Sequence, residues 1–282
     1  MDNRINGLME YLDSAHSVFH AVEGLRNILE ANGYTRLQES GKWNLVPGDK
    51  YYMTRGGASI MAFRIPEGTP KGFMMSASHA DRPTFKVKEN GELAGKYTRL
   101  AVERYGGMLM GTWLDRPLSI AGRVLVETEK GMQTKLVDID RDLLLIPNVA
   151  IHMNRKANDG YAWNPAVDLL PLMGGSDAKG KLNALLEETA GGKIIGHDCI
   201  CTSVRKLPSG ALKRSSSPAR HWTTWSVPTA APVASWMRPH PQLSLFCVSL
   251  TAKRLALPLC RVRLLTCWKT CLQESVWLVA GI

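Results

Sequence analysis

The sequence predicts an α/β domain, then a β-rich module, then a C-terminal third that matches no ordinary fold. Three observations carry this. Amphipathic helices open the chain and short apolar strands follow them. From about Lys86 strand-like runs dominate, punctuated by Gly and Pro. After Asp198 the composition changes too abruptly, and in too many residue types, for an ordinary domain boundary.

In order along the chain, Leu8, Met9, Leu12 and Ala15 fall at helical spacing. A second helix carries Val18, Ala21, Val22, Leu25, Ile28 and Leu29 on one face and stops at Gly33. Strand-like pieces follow at Tyr51 to Thr54, Ala58 to Phe63 and Gly72 to Met75, with Pro66 and Pro70 bracketing the turn between the last two. In the β-rich stretch the candidates are Gly111 to Trp113, Leu118 to Val126, Thr134 to Val137 and Leu143 to Ile146. Gly174-Gly175 to Gly191-Gly192 reads as a polar connector with one short helix around Leu182 to Leu186. No internal repeat is visible. Beyond Asp198 periodicity fades, and Leu243 to Leu250 passes as a strand on apolarity alone.

The 282 residues are enough for a large domain or two ordinary ones. A net charge of +10 would suggest a nucleic-acid or acidic-lipid partner if it were spread over the chain. It is not. Residues 1–200 hold 24 Lys+Arg against 24 Asp+Glu, whereas residues 201–282 hold 11 against a single acid, Glu274. All six Cys follow Asp198, all seven Tyr precede it, and no Asp comes after it. Met1-Asp2-Asn3-Arg4 leads into a polar, amphipathic start, so no secretory leader is expected. No run of 18 apolar residues is present, so no membrane partner is expected either. The cysteine-free first part suits a cytoplasmic protein.

The chemistry concentrates at Ser76-Ala77-Ser78-His79-Ala80-Asp81-Arg82-Pro83. Residues i and i+2 of an extended segment point the same way, so His79 and Asp81 can both address a site at a strand end. Neutral His is the commonest zinc ligand, and a nearby carboxylate fixes its orientation and basicity. The plain alternative is a surface His–Asp pair. His152, in Ile146 to Arg155, reads on pattern alone as a hydrogen-bonded strand histidine. His16 and His20 lie four apart on a helix face with no third ligand type, so they read as structural. Asp115-Arg116-Pro117 reads as a turn with a local ion pair. Cys199-Ile200-Cys201 and Cys267 to Cys271 lack zinc-finger spacing.

Three ordered segments resemble the aspartyl aminopeptidase family. Ser78 to Lys88 resembles its His-x-Asp-x-Pro segment. Thr112 to Val124 resembles its Trp-[Phe/Leu]-Asp-Arg-x-Leu-x-x-Ala-Gly-Arg-Val segment. Ile146 to Met153 resembles its Ile-Pro-x-x-Ala-Ile-His-[Leu/Met] segment. The likeness runs from the N-terminus to about Asp198. It implies an αβα peptidase domain interrupted by a β-rich assembly domain: residues 1–88 as the first part of the peptidase, 89–195 as the inserted oligomerisation domain. It implies a homo-oligomeric, cytoplasmic exopeptidase removing N-terminal Asp or Glu from peptides with two bridged Zn2+ ions per site. By the same likeness His79 matches a metal ligand and Asp81 the carboxylate that orients it. His152 matches a histidine that helps complete a neighbouring subunit's site.

The family's remaining ligands lie in a Leu-Asp-[Asp/Asn] segment, in an Asp-x-Glu-Glu-Val-Gly-Ser segment and near its C-terminus, and none appears after Asp198. Reading the tail one base earlier restores two. At His221 to Trp225 the last base of a His codon with the TG of Trp gives Leu, and the G of TGG with the AC of Thr gives Asp. The hidden text there fits L-D-D-L. Leu250 to Leu259 can be encoded as TTG ACA GCG AAG AGG TTG GCT CTG CCA CTC, a choice that is free at most positions, and this encoding contains D-S-E-E-V-G-S-A-T in the same shifted frame. Residues 199–282 therefore read as a frame-shifted, non-native tail, whose apolar residues were not selected to line one face. Its Arg and Trp mimic a single-strand binding surface by accident of codons. The expected product is inactive, with an incomplete zinc site. The rivals are a non-catalytic assembly protein and a basic nucleic-acid binder.

Overall fold

The computed structural model describes residues 3–68, 72, 74–204 and 246–251. They fall into two units. One draws on the residues up to Tyr11, on Ala21–Asp81 and on a strand at 246–251; the other on Leu12–His20 and on the described chain from Arg82. The chain opens with helix α1 (Asn3–Ser14) and helix α2 (Val18–Ala31). Ser17 caps α2: its Oγ accepts the His20 backbone N–H at 3.4 Å, satisfying one of the otherwise unpaired first-turn donors. The helix ends where expected. Gly33 takes the left-handed conformation (φ 78°), and the Gly33 and Tyr34 amides donate back to Glu30 and Leu29 carbonyls. Val22, Leu25 and Leu29, three of the residues assigned to the apolar face, are buried.

Four strands follow: β1 (Thr35–Arg36), β2 (Lys50–Arg55), β3 (Ser59–Arg64) and β4 (Met74–His79). Tyr52 on β2 is fully buried, and its hydroxyl donates to the Glu30 carboxylate on α2, so the helix is tied to the sheet by a polar contact as well as by packing.

The second unit is built mainly from β5 (Thr84–Leu93), β6 (Tyr97–Tyr105), β7 (Pro117–Thr128), β8 (Gly131–Asp138), β9 (Leu144–Leu145), β10 (Leu172–Gly175), helix α3 (Lys181–Ala190) and β11 (Ile194–Ser203). Antiparallel pairing runs β11-β5-β6-β10-β9-β7, and β7 pairs back onto β11, so the sheet closes into a barrel from which β8 extends off β7. The interior is filled by Phe85, Val87, Leu100, Leu118, Ile120, Val124 and Val126, with Cys199 and Cys201 from β11. Closure needs a glycine. Gly122 on β7 faces Cys199 on β11, and a Cβ at 122 would stand 2.3 Å from the Asp198 carbonyl oxygen.

Four sequence expectations change here. The units divide after Asp81, earlier than the boundary read at residue 88, because β5 belongs to the barrel from its first residue: the Thr84 hydroxyl donates to the Cys201 carbonyl at 2.7 Å. The barrel unit also runs past residue 195, since β11 continues through Ser203. Gly111 to Trp113 is not a strand but a 3-10 helix, Met110–Trp113. The Thr112 hydroxyl donates to the Leu109 carbonyl and tightens that turn, which sets the Trp113 ring edge-on to Phe85 at 5.2 Å. Finally, two pieces of the anomalous third are strand. Cys199 to Ser203 complete β11, and β12 (Phe246–Thr251) falls where apolarity suggested one.

β12 lies inside the first unit's sheet, whose order is β1-β2-β3-β12-β4. It runs antiparallel to β3 and parallel to β4, with Phe246 opposite Met74 and Thr251 opposite His79. The remainder of 205–282, including His221 to Trp225, where an L-D-D-L reading was expected in the shifted frame, and Pro70 and Phe73 lie outside the described residues.

Candidate active site

β4 delivers His79 to the carboxyl end of a parallel strand pair, the edge at which open α/β sheets place ligands. A bend at Ala80 then returns Asp81 to the same histidine, and Pro83 cannot donate to a continuing ladder. The His79 Nδ1 lies 3.1 Å from the Asp81 Oδ1. The Asp81 side chain is 8% exposed and that of His79 45%, so the carboxylate is built in and the imidazole reaches outward. A buried carboxylate is tolerated only with polar partners, and Asp81 has the His79 imidazole at hydrogen-bond distance. With Nδ1 engaged by Asp81, Nε2 is the second ring nitrogen, and a carboxylate held on the first is how a histidine's orientation and basicity are fixed. The i, i+2 spacing read from the sequence is thus realised as one pair.

His152 belongs to the other unit. It is exposed, on the loop 147–168 that leaves the barrel after Ile146 and returns at Leu169, both fully buried. Asp115 also lies there, in the expected turn. It takes a left-handed backbone (φ 54°), and its carboxylate accepts the Asn148 backbone N–H at 2.9 Å.

His16 and His20 do not share a helix face as expected, because His16 lies in the bend before α2, but both are held by hydrogen bonds. His16 bonds Asp138, and the Ser17 hydroxyl lies 2.8 Å from the His20 Nδ1. Burial holds the His20 imidazole below its usual range, against the raising effect of Asp138 and with help from His16 and Arg82. Burial pushes the Asp138 carboxyl up, but the His16 hydrogen bond and the charges of His16 and His20 outweigh it and leave it low. The sequence gives no sign of this partnership, because Asp138 is 122 residues away. Arg82, next to the candidate pair in sequence, donates to the Ala15 and His16 carbonyls and pins the α1–α2 junction.

The two described cysteines are no metal site. Burial, with Asp198 beside the first, pushes Cys199 up to about 12, and burial does the same for Cys201. A thiolate is needed to ligate or attack, and neither thiol supplies one near neutrality.

Do the groups present fit a zinc pair? They do not. Among the described residues no cluster of three or more His, Cys, Asp or Glu could hold a metal ion. The His79–Asp81 pair contains a single imidazole, and a bridged pair needs several carboxylates and a second histidine.

Comparison with known proteins gives this arrangement its context. The family model described as aminopeptidase I zinc metalloprotease (M18) matches residues 11–199 and stops where the composition breaks. A probable M18 family aminopeptidase 2 of Clostridium novyi (strain NT) is 41% identical over 183 residues, which cover 62% of this chain and 42% of that protein. The chain thus spans about two-fifths of the length of such relatives. A cryo-EM structure of the Ape4 and Nbr1 complex superposes with a TM-score of 0.77 at 27% identity, covering 88% of this chain and 53% of its match. A structure of Chaetomium thermophilum mApe1 superposes with a TM-score of 0.76 at 25% identity, covering 94% and 69%. The matched residues include both halves of the His79–Asp81 pair, the barrel as far as Cys199 and the His152 loop, and the chain belongs to the aminopeptidase I zinc metalloprotease (M18) family.

Proposed function

We propose that this lineage is a dinuclear zinc aminopeptidase removing acidic N-terminal residues from peptides, and that the present chain, out of frame after Asp198, is an inactive form of it. The observation that carries the reading is the His79–Asp81 pair at the carboxyl end of β4: a ligand-capable imidazole, oriented by a built-in carboxylate, at the edge of an α/β sheet. His79 is the metal ligand, Asp81 orients it, and His152 completes a neighbouring subunit's site in a homo-oligomer assembled through the barrel unit. The family's M18 description supports zinc, and an acidic-residue preference follows from the resemblance to aspartyl aminopeptidases.

The register of β12 supports the frame reading. Thr251 is paired with His79, and the shifted frame places its Asp across the codons of Leu250 and Thr251, with the Glu-Glu just after. The hidden carboxylates therefore begin at the position next to the histidine. As translated, the position carries Thr251. Bound zinc would polarise a scissile carbonyl and lower the pKa of a bridging water, but the described donors do not hold a pair, so no catalytic step is assigned to this chain.

Inserting one base at the Asp198 codon tests the proposal. The repaired gene should yield a longer product that binds zinc or a similar divalent ion and releases Asp and Glu from peptides. The present chain, assayed with added zinc, should release neither. Chelation-sensitive turnover by the present chain, or an immediate stop in the repaired frame, overturns the reading. A second reading, a non-catalytic assembly protein, draws on the closed barrel and its exposed loop. A defined oligomer without peptidase activity in the present chain, together with an inert repaired product, would favour it.

A further inference from the structure

We infer that Asp115 is a positioning residue for His152, acting as a clasp at the base of the loop that carries it. The inference rests on the reading of His152 as a site residue. The stretch 147–153 leaves the barrel without burial, Val149, Ile151 and Met153 all being exposed, and the loop packs on the core only farther along, at Trp163. Packing alone therefore does not fix where His152 goes. The far end is held by Asp168, whose carboxylate accepts the Asn164 amide at 2.8 Å and the Tyr161 hydroxyl at 3.3 Å. The near end is held by Asp115. Its own amide donates to the Ile146 carbonyl at 2.9 Å, and its Oδ1 accepts the Asn148 amide at 2.9 Å. One residue thus grips the chain on both sides of Pro147. The Asn148 side chain continues the grip, accepting the Val149 amide at 2.9 Å.

The geometry explains why the position is an aspartate. Asp115 has φ 54°, a region closed to most L residues and open chiefly to Gly, Asn and Asp. Gly would adopt it but offers no acceptor. Asp and Asn offer both. The neighbours hold the conformation in place: the 3-10 helix Met110–Trp113 ends just before, and Pro117 opens β7 just after. His152 lies four residues beyond the clasped amide, so the direction in which the loop sets out is decided at Asp115.

Three variants of the full chain separate acceptor from conformation: Asp115→Asn keeps both, Asp115→Gly keeps only the conformation, and Asp115→Ala loses both. Amide hydrogen exchange should be about tenfold faster at Asn148 and Val149 in Gly and Ala, as expected for the loss of one hydrogen bond, and restored to within about threefold in Asn. The thermal midpoint of the barrel should stay unchanged in Asn and Gly. In histidine-labelled chain, the ring signal that disappears in His152→Ala should shift in Gly and Ala and stay in place in Asn. Unchanged exchange at Asn148 in Asp115→Gly, or a full rescue by Gly, overturns the clasp. A clasp that behaves as described, combined with a repaired enzyme that works normally as His152→Ala, overturns the role of His152 and leaves the clasp standing.

Discussion

Gly122→Ala tests whether the barrel closes as described. The added Cβ would meet the Asp198 carbonyl oxygen at 2.3 Å and the Cys199 Cα at 2.7 Å, and both are backbone atoms that no rotamer change can move aside. Real Cβ atoms essentially never approach closer than 3.0 Å, so β7 and β11 must separate by about 0.7 Å there. A ladder bond near 2.9 Å would stretch to about 3.6 Å, beyond useful length. Overpacking of this kind typically costs about 1–3 kcal/mol, or about 5- to 150-fold in an opening equilibrium. Hydrogen exchange of the amides of 118–126 and 199–203 reads this locally, which suits a chain of two units better than one global melt. Gly7→Ala is the control: it has open space and a helical position, so it should stabilise α1 by about 0.5–1 kcal/mol. Ladder amides within twofold of the parent protein in Gly122→Ala would refute the close approach of β7 and β11.

Acid should loosen the contact between the α1–α2 junction and β8. His20 and Asp138 are both held below their usual values, so each contributes stability above its unfolded pKa and loses it as pH falls. The loss should start below about 6.5 for His20 and deepen below about 3.9 for Asp138. Thermal midpoints against pH should show it, with His20→Gln flattening the upper part; a midpoint that rises on acidification contradicts the assignment. In the repaired enzyme His79→Ala should abolish activity, whereas Asp81→Ala should lower it or the metal affinity by about 10–100-fold; equal effects would mean Asp81 is more than an orienting group. Amides of 199–203 and 246–251 should exchange slowly, since both segments are strands in sheets, and rapid exchange in either would remove it from its sheet.

What was legible in the sequence depended on how local the cause was. α2 announced itself through the 3.6-residue spacing of Val22, Leu25 and Leu29 and through the stop at Gly33. The His79–Asp81 pair was legible because its two members are two residues apart, although a bend at Ala80, and not the extended segment expected, brings them together. β5 and β6 were harder. Gly91 lies where the β5–β6 register shifts, between Val87 and Glu92, so the alternation that marks a strand is broken. Gly111 to Trp113 misled because three residues are too few to distinguish extended chain from a tight turn. The His16–Asp138 contact and the Asp115 clasp had no local signal, because their partners lie 122 and 33 residues apart in the chain.

A strand asks little of its sequence, and a metal site asks a great deal. β11 crosses the composition break at Asp198 without losing its ladder: Cys199 and Cys201 alternate into the core, and each residue from 199 to 203 pairs with β7. Backbone hydrogen bonds are indifferent to side-chain identity, and small apolar groups fill an inward position adequately. β12 makes the same point from further along, since an apolar run suffices to occupy the position between β3 and β4. Neither segment can replace a carboxylate. A bridged metal pair needs particular charged oxygens at particular positions, and a hydroxyl or a methyl at the same register does not substitute. A one-base shift that keeps the apolar character of a segment can therefore leave a sheet in place and remove its chemistry. The fold extends beyond the end of the family match at residue 199, while no cluster of metal-ligating side chains is present among the described residues.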